Sequence, residues 1–486
     1  MPSRSPFEMP GAVARRSPGD ALSHAYLSSD ASRLRPSACP GLLRIVPALD
    51  GGICRVKLAR GELSAVQASA IADAIDEHAC GIADITNRAN LQLRGVKRGH
   101  EEPLIAALLH AGLGPSGPQD ATHGFADDVR NVMVSPTAGR DAGALIDTST
   151  LADDILAVLQ GDARFAALSP KFALLLDGGE RLAMLDHPHD IWLSAMRDPK
   201  RDDVLFAFGL AGCPPVEAHH PGALAAVAAS DAATLTHALV HTFLDLASPE
   251  HTRMRDLLAE HCVERVLTHV ESKMGIALLR DASIERWRRA PADPSLRLGA
   301  HPQRGEWRSH VGGQSVLGRM NSATLRGLAR LAEDNDGATL RMTPWQGVLL
   351  TDIDTTKVAS TLQALEALGL ACSAQNPLTR VIACAGSTGC AKSLADTKAD
   401  AMKLAACLPA DTQVHLSGCP RSCAAAHRAP YTLLAVAPGR YDLYHTRDPR
   451  DPTGFGRCLA RGLTIDEAAG MLNHAAPPPF DEPSDA

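Results

Sequence analysis

Strand-type and helix-type patterns of apolar residues alternate along most of the chain. Near its start, residues 52–58 (GICRVKL) alternate apolar and polar side chains as a half-buried strand does. Residues 64–78 place apolar side chains at helical spacing, and residues 82–93 return to a strand pattern. This order predicts a compact β-α-β unit and, because such stretches recur, a mixed α and β fold class.

The same outline returns about 250 residues later and predicts an internal duplication. The second copy consists of strand-like residues 315–319, helical residues 323–334, and strand-like residues 337–343 and 348–351. Two more pairs follow in the same order along the chain: residues 128–135 with 378–384, and residues 168–173 with 416–424. Chance similarity between amphipathic units is the alternative, but three pairs in one order favour a tandem duplication.

The segment between the two copies, residues 215–289, is rich in Ala, Leu and His and is predicted to be mainly helical. His237 and His241 stand four positions apart, so a helix would place both imidazoles on one face. Such a pair can bind a metal, but the neighbouring sequence offers no third ligand at a suitable spacing. We therefore interpret the pair as part of a solvated helix face.

Composition and charge exclude several classes of protein. The 486 residues, 45% of them hydrophobic and 21% charged, are typical of a soluble globular protein with roughly two to four domains. The net charge of -7 argues against a nucleic-acid partner, which requires a basic surface. No apolar run reaches the ~18 residues of a membrane span, so no membrane partner is expected. The 12 cysteines are unevenly spaced, unlike a disulfide framework, which favours a cytoplasmic location.

Two close pairs of cysteines form the strongest chemical pattern. Five residues separate Cys384 from Cys390, and three separate Cys419 from Cys423. Four thiolates are the usual ligands of a 4Fe-4S cluster, and two pairs on loops can converge with little loss of loop entropy. Residues that suit loops wrapped around a cluster lie beside them: Gly386, Gly389, Gly418 and Pro420. Zinc, which favours a shorter spacing within a pair, and inert buried thiols are the alternatives.

A second pattern is a set of cationic residues near predicted strand ends: Arg88, Arg94, Lys97, Arg98, Arg130 and Lys171. In an acidic chain, Arg forks and Lys ammonium groups at such positions can hold carboxylates. For any one of them, a solvated surface charge is the alternative. These cationic residues recur near corresponding elements of the predicted repeat, which favours one anionic ligand bound by several of them.

Together these motifs resemble the sirohaem-dependent sulfite and nitrite reductases. The resemblance rests on the two cysteine pairs and on the stretches TNRANLQLRG, DVRNV and PKF, and it covers about residues 39–472. It implies an α+β fold with tandem duplicated ferredoxin-like half-domains and two α/β lobes around one tetrapyrrole pocket. It also implies that Cys384, Cys390, Cys419 and Cys423 bind the cluster beside that pocket. By the same resemblance, the catalytic residues that face the tetrapyrrole and a small oxidant or anion are Arg88, Arg130 and Lys171.

The resemblance also implies where the domains begin and end. The expected units are a disordered leader over 1–36, half-domain 1 over 37–120, lobe 1 over 121–295, half-domain 2 over 296–372, a cluster-binding lobe 2 over 373–476, and a flexible tail over 477–486.

Within the family, the opening SACPGLLRIVPALDGGICRVKL and the stretch RANLQLRGV resemble the precorrin-3B synthases of aerobic cobalamin biosynthesis. This narrower resemblance implies a monooxygenase that uses O2 to hydroxylate precorrin-3A and form a γ-lactone. It further implies an electron donor, either NADH-linked or ferredoxin-like. A non-haem iron is a candidate oxygen-activating centre, to which no residues are assigned.

Two positions depart from the pattern of the reductases. Ala89 and Ala173 stand where those enzymes typically carry a further polar residue after the first Arg and a second Lys. A site that stabilises and protonates sulfite or nitrite needs dense positive charge, so the missing ammonium favours a neutral oxidant. An assimilatory sirohaem-dependent sulfite or nitrite reductase is the alternative enzyme, and an Fe-S electron carrier or redox sensor is the third interpretation.

Overall fold

Strands and helices alternate in the structure as the apolar pattern predicts, and the fold class is the expected α+β arrangement. The computed structural model describes residues 39–116, 124–198, 203–425, 429–446 and 454–474. Within these ranges the chain forms 20 strands, arranged as four five-stranded sheets, and 12 α-helices. The predicted leader, 1–36, and the predicted tail, 477–486, lie outside the described residues.

The N-terminal ferredoxin-like unit has five strands and two helices: β1 (Val46–Ala48), β2 (Gly51–Val56), β3 (Glu62–Leu63), α1 (Ala65–His78), β4 (Ile82–Ile85), β5 (Leu91–Val96) and α2 (Glu101–His110). A capping box starts α1, because the Ser64 hydroxyl accepts from the Gln67 backbone N–H and the Gln67 side chain accepts from the Ser64 N–H. The stretch predicted as one strand over 82–93 is a hairpin, since residues 86–90 reverse the chain between β4 and β5.

Lobe 1 follows and surrounds a second sheet with helices. Its strands are β6 (Val132–Val134), β7 (Leu174–Asp177), β8 (His189–Arg197), β9 (Val204–Gly212) and β10 (Ala225–Ala228). Its helices are α3 (Gly124–Asp128), α4 (Ser149–Gly161), α5 (Ala232–Leu246), α6 (Met254–Glu260), α7 (Val263–Met274) and α8 (Ala282–Arg286). The segment predicted to be mainly helical contains the last four helices and one strand, β10.

The second half of the chain repeats both units. Its ferredoxin-like unit consists of β11 (Gly299–Pro302), β12 (Arg308–Gln314), β13 (Arg319–Asn321), α9 (Ser322–Glu333), β14 (Leu340–Met342), β15 (Gly347–Asp354) and α10 (Val358–Ala367). Lobe 2 consists of β16 (Val381–Ala383), α11 (Thr397–Ala405), β17 (Val414–Ser417), β18 (Tyr431–Ala437), β19 (Arg440–His445), β20 (Arg457–Leu463) and α12 (Ile465–His474).

The two ferredoxin-like units exchange edge strands. Their sheets have the orders β1-β2-β5-β4-β13 and β11-β12-β15-β14-β3, so each sheet takes one strand from the other unit. Strand β13 pairs antiparallel with β4, and β3 pairs antiparallel with β14. Apolar residues of both units therefore form one continuous core, and neither sheet is complete without its partner.

The sheets of the two lobes share one topology. Lobe 1 has the order β10-β9-β8-β7-β6, and lobe 2 has the order β16-β17-β18-β19-β20. In each lobe the first three strands along the chain are parallel to one another, and each of the last two is antiparallel to the strand before it. Strand β6 thus corresponds to β16, as the pairing of 128–135 with 378–384 predicts. The other predicted pair does not correspond, because residues 168–173 precede β7 whereas residues 418–424 follow β17.

Helices of the described residues are amphipathic elements that pack on these sheets. Separate apolar cores lie in lobe 1 and in lobe 2. None of the helices in the described ranges is long and apolar enough to cross a lipid bilayer.

Candidate functional site

The four predicted cluster ligands lie at one edge of the lobe 2 sheet. Cys384 and Cys390 follow β16, and Cys419 and Cys423 follow β17. These strands are parallel neighbours, so their carboxyl ends meet at the same edge. Burial and the nearby thiols of the other three cysteines raise the pKa of Cys423. The fold therefore brings all four sulfurs into one neighbourhood.

Close approach of the two cysteine loops depends on glycine. The Gly418 backbone N–H lies 3.3 Å from the Cys384 sulfur and donates to it. A Cβ at Gly418 would stand 1.8 Å from the Ser393 hydroxyl oxygen, so no larger residue fits there. Gly386 turns the first loop with a φ of 72°, a conformation that favours glycine. These contacts agree with loops that wrap closely around a bound group.

The composition of the site agrees with an iron-sulfur cluster. Four thiolates on two loops at one sheet edge are the usual ligand set of a 4Fe-4S cluster, and a gap of five residues within a pair is wide for a structural zinc site. The residues present fit a 4Fe-4S cluster.

The first ferredoxin-like unit supports the cluster loops with a buried arginine. Arg94, which is 1% exposed, forms a two-pronged ion pair with Asp50 at 2.7 and 2.8 Å. The same guanidinium donates to the Gly389 carbonyl at 2.8 Å. Lys97, by contrast, is exposed and caps carbonyls at the end of α1. Of the predicted cationic set, Arg94 holds the cluster loop and Lys97 faces solvent, as does Arg98.

The turn between β4 and β5 places Arg88 between the cluster loop and lobe 1. The Thr86 hydroxyl accepts from the backbone N–H groups of Arg88 and Asn90, which fixes the turn. The Asn87 side chain reaches the Cys423 carbonyl at 3.5 Å, while Arg88 donates to the Lys171 carbonyl at 3.4 Å. This turn therefore contacts both halves of the predicted site.

A small cavity of about 10 Å³, room for a single water molecule, lies beneath this turn. Its walls come from the turn and from the amino ends of β6, β7 and β8: Arg88, Asn90, Arg130, Asn131, Val132, Met133, Ala173 and His189. Lobe 1 thus faces the site with the amino ends of its parallel strands, whereas lobe 2 faces it with the carboxyl ends of its parallel strands. This difference explains why residues 168–173 and 418–424 both approach the site without being equivalent.

Arg88 brings a positive charge to the cavity wall. Desolvation lowers the pKa of its guanidinium to about 10, repulsion by Arg253 and Arg55 adds to the effect, and attraction by Asp190 opposes it. The Asp190 carboxylate forms its ion pair with Arg253. The partly exposed guanidinium of Arg88 can therefore be stabilised further by an anionic ligand.

Arg130 and Lys171 are placed differently from Arg88. The Arg130 guanidinium lines the cavity but donates to the carbonyls of Leu113 and Lys57, at 3.2 and 2.9 Å. Burial lowers its pKa. The Lys171 side chain is exposed and does not line the cavity. The structure therefore brings Arg88 and Arg130 to one cavity, whereas Lys171 contacts this group through its backbone carbonyl, which accepts from Arg88.

His189 also faces the cavity, and the sequence reasoning did not identify it. The residue is 2% exposed, and neither ring nitrogen has a hydrogen-bond partner of normal geometry among the described residues. Burial and the charge of Arg88 lower its pKa to about 3, so the imidazole is neutral near pH 7. Its ring stacks on His187 with centroids 4.8 Å apart. The available signal was the His-Pro-His stretch at the start of a buried strand.

Ala173 and Asp190 complete the floor of the cavity. Ala173 is 1% exposed, and its backbone N–H donates to Asp190 at 2.9 Å. Asp190 also pairs with Arg253, through two contacts of 3.0 Å, and accepts from the Met254 N–H. Because this buried carboxylate is already balanced, a lysine at position 173 would enter the cavity as an additional charge.

A tetrapyrrole is far larger than this cavity, because pockets for drug-sized ligands are commonly ~300–1,000 Å³. It would therefore lie against the outer side of the site rather than inside the cavity. The partly exposed Arg88 lies where a peripheral carboxylate could pair with it.

Comparison with known proteins matches both types of unit. The family described as the nitrite and sulphite reductase 4Fe-4S domain matches residues 125–278, which form lobe 1. The nitrite/sulfite reductase ferredoxin-like half domain matches residues 47–111 and 301–368. Together the matches cover more than half of the chain. The cysteine quartet lies outside them, in the lobe that repeats the topology of lobe 1.

Curated relatives and a solved structure agree with these matches. The chain is 30% identical over 401 residues to the ferredoxin–nitrite reductase of Synechococcus elongatus, covering 79% of this chain and 76% of that protein. The chloroplastic ferredoxin–nitrite reductase of Zea mays is also 30% identical over 401 residues, at 76% and 67% coverage. The precorrin-3B synthase of a Sinorhizobium species is 27% identical over 442 residues, at 88% of both chains. The structure of the Mycobacterium tuberculosis NirA protein, 21% identical, covers 87% of this chain and 79% of its own with a TM-score of 0.71, which indicates a shared fold.

Proposed function

The chain belongs to the nitrite and sulfite reductase family, and within that family of oxidoreductases we propose that it is a precorrin-3B synthase. The observation that carries the proposal is position 173, where the reductase pattern has a second ammonium and this chain has a methyl group in the cavity wall. Of the neighbouring groups, Arg88 has Arg55 and Arg253 as cationic neighbours, carbonyls occupy the Arg130 guanidinium, and His189 is neutral. Six-electron reduction of an anion requires more charge and more proton donors than this. A neutral oxidant such as O2 requires less.

In the proposed reaction, precorrin-3A and O2 are the substrates. One oxygen atom enters the macrocycle as a hydroxyl at C20, a ring acetate closes to a γ-lactone, and the other oxygen atom leaves as water. Balance requires two electrons and two protons, which an NADH-linked or ferredoxin-like donor supplies. Arg88 and Lys171 orient the peripheral carboxylates, and Arg130 rigidifies the wall beside them. The neutral His189 offers a hydrogen bond to the edge of the macrocycle or to the oxidant.

We further propose that Cys384, Cys390, Cys419 and Cys423 hold the 4Fe-4S cluster. Their convergence and the glycine-dependent loops support this assignment. When bound, the cluster would supply electrons one at a time. The contact of the Asn87 side chain with the Cys423 carbonyl supports a position of that supply near the Arg88 turn. No residues are assigned to a non-haem iron.

A sirohaem-dependent nitrite or sulfite reductase is the second candidate function, and the identity of about 30% with two ferredoxin–nitrite reductases favours it. In that alternative, which the resemblance implies, Cys423 would help to hold the cluster beside a sirohaem, which would supply the site for the anion. The absorption spectrum of the purified protein distinguishes the two. An intense Soret band with the red-shifted band of an isobacteriochlorin would support the reductase.

The charge of the cavity is tested by Ala173→Lys, which restores the second ammonium of the reductase pattern. We expect no gain in O2-dependent consumption of precorrin-3A, and a loss if the added charge remains unpaired in this buried position. The same assay measures nitrite and sulfite reduction by the unmodified protein. Reduction of either anion at a rate comparable with precorrin turnover would contradict the proposal. Failure to bind any tetrapyrrole would instead favour an Fe-S electron carrier or redox sensor.

A further inference from the structure

Asp162, His237 and His241 meet on lobe 1, at a place that the proposed function does not use. The two histidines lie on one face of α5, and Asp162 follows α4 in a different part of the chain. The interpretation of the histidine pair as a solvated helix face is therefore incomplete. The third group that the neighbouring sequence lacked is supplied by another element.

The three side chains direct their ligand atoms at one point. The Nε2 atoms of His237 and His241 are 3.1 Å apart, and the Asp162 Oδ2 atom lies 3.4 Å from the first and 2.6 Å from the second. Around a tetrahedral zinc, ligands at about 2.0–2.1 Å from the metal stand ~3.3 Å apart. The observed distances are near this value without any rearrangement of the backbone.

The surrounding contacts hold these side chains in position. The imidazole rings of His237 and His241 pack on the fully buried Phe165, with centroid distances of 5.7 and 5.0 Å. The Asp162 Oδ1 atom accepts from the Arg164 backbone N–H at 2.9 Å, which turns Oδ2 toward the histidines. These contacts hold the side chains in rotamers that can bind a metal, so little side-chain entropy remains to be lost on binding.

We propose that Asp162, His237 and His241 bind one divalent cation of the zinc class, with solvent as the remaining ligand. Two imidazoles and one carboxylate suit borderline metals, whereas magnesium and calcium prefer oxygen ligands throughout. His237 is about half exposed, which leaves a path for the ion and a position for water. The ion would join α5 to the segment after α4. This proposal is independent of the proposed function.

Arg164 competes with the ion for His241. Its guanidinium lies 3.0 Å from the His241 Nδ1 atom, an arrangement in which Nδ1 accepts and Nε2 carries the proton. Metal binding requires the opposite tautomer, because Nε2 must offer its lone pair and Nδ1 must carry the hydrogen. On binding, the guanidinium must turn away toward Asp245, with which it already pairs. Removing this guanidinium should therefore strengthen metal binding.

The experiment adds Zn2+ to the full-length, cluster-loaded protein, after treatment with a mild chelator that leaves the cluster intact. Bound zinc and the thermal unfolding temperature are measured for the unmodified protein and for three variants. We expect one zinc per chain and a higher unfolding temperature in the unmodified protein. His237→Ala and Asp162→Asn should each weaken binding at least tenfold, and Arg164→Met should strengthen it. Asparagine at 162 keeps the Oδ1 cap on the Arg164 N–H, so the local fold is preserved.

His269→Ala is the matched control. His269 is 42% exposed, compared with 46% for His237, and each makes a single long contact with a carboxylate. This control should bind zinc as the unmodified protein does. Equal zinc binding by the unmodified protein and by His237→Ala would overturn the proposal and leave a hydrogen-bond network only. So would unchanged or weaker binding in Arg164→Met, because the tautomer argument requires a gain.

Discussion

At the scale of single residues, the charge of Arg88 makes the most direct prediction about ligand binding. We expect Arg88→Ala to weaken tetrapyrrole binding by roughly one to two orders of magnitude, because a charge-assisted hydrogen bond to a carboxylate contributes ~1.5–3 kcal/mol. Cluster content should stay unchanged, since the Arg88 side chain donates to the Lys171 carbonyl and not to the cluster loops. Titration with precorrin-3A, followed by the quenching of its fluorescence, gives the affinity.

Arg98→Ala is the control for this measurement. Arg98 is exposed and lies ten positions along the same unit, away from the cavity lining. Its loss should change binding by no more than about 0.5 kcal/mol, as is usual for an isolated surface charge. Equal effects of the two substitutions would mean that Arg88 acts only through the overall charge of the protein.

His189 makes a prediction about stability and pH. Its pKa is about 3 in the folded protein and close to 6.5 in the unfolded chain, so between these values the unfolded state binds more protons. The free energy of unfolding therefore falls as the pH drops below 6.5, by ~2 kcal/mol between pH 7 and pH 5 from this residue alone. We expect His189→Phe, which keeps an aromatic ring and removes the titrating group, to lose this part of the pH dependence. Denaturant unfolding at both pH values measures it.

The same variant tests whether His189 contacts the reacting molecules. Replacing the neutral imidazole removes at most one hydrogen bond, to the His187 backbone, and should cost no more than about 1 kcal/mol of stability at pH 7. If turnover nevertheless falls while tetrapyrrole affinity is retained, the imidazole acts in the reaction. A variant that turns over normally would show that the buried histidine only fills space.

The residues of the candidate site could be predicted where the local sequence carries a motif. They could be predicted less well where distant parts of the chain surround the side chain. Arg88 could be singled out because it lies near a predicted strand end in TNRANLQLRG, a stretch that resembles the reductases. His189 could not, because a histidine beside a strand gives no sign of whether a partner will reach its ring. Arg94 carries the same charge as Arg88 but lies in the core beside Asp50. The sequence alone does not distinguish these two arginines.

At the scale of elements, the loops after β16 and β17 predict the behaviour of the cysteines. Replacing any one of Cys384, Cys390, Cys419 and Cys423 by Ser should remove iron, sulfide and the broad charge-transfer absorbance, because a hydroxyl is a poor ligand for a soft metal site. Iron and sulfide analysis of anaerobically purified variants measures the loss.

Cys407→Ser is the matched control for the cysteine variants. Cys407 is exposed and belongs to the same lobe, just after α11, but lies on neither cysteine loop. Its substitution should leave cluster content unchanged. Bleaching of the control, together with retention of the cluster in Cys390→Ser, would show that the ligands are assigned wrongly.

The helix α1 and the strands around it could be predicted from the sequence, because the spacing of apolar residues is a local property. The sequence alone could not assign Asp162 to His237 and His241. The carboxylate lies on one element and the imidazoles on another, and only packing on Phe165 brings them together. Spacing along the chain detects sites within one element, whereas sites between elements require the fold.

At the scale of the whole molecule, the duplication was predictable but the exchange of strands was not. Repeated patterns about 250 residues apart indicate two copies of a unit. Strand β3 has only two residues and β13 only three, too few for alternation to reveal a strand or its partner. Their pairing across the duplication follows from the shared core that both units bury.

The same architecture explains how one site draws on three units. Lobe 2 contributes the cysteine loops, lobe 1 contributes the cavity wall, and the turn of the first ferredoxin-like unit contacts both. The Arg319–Asp84 ion pair, with contacts of 2.8 and 3.1 Å, joins the two ferredoxin-like units across the exchanged strand β13. The geometry of the site therefore depends on the complete duplicated fold.

The measurement that tests the central claim most directly is the mass of the product formed from precorrin-3A. Protein purified without oxygen is incubated with precorrin-3A, a reductant and O2 labelled with the heavy oxygen isotope. The account predicts a product heavier than precorrin-3A by one oxygen atom, which carries the label. It also predicts that the four cysteine variants do not form this product. Recovery of unchanged precorrin-3A, together with reduction of nitrite or sulfite by the same preparation, would contradict the account.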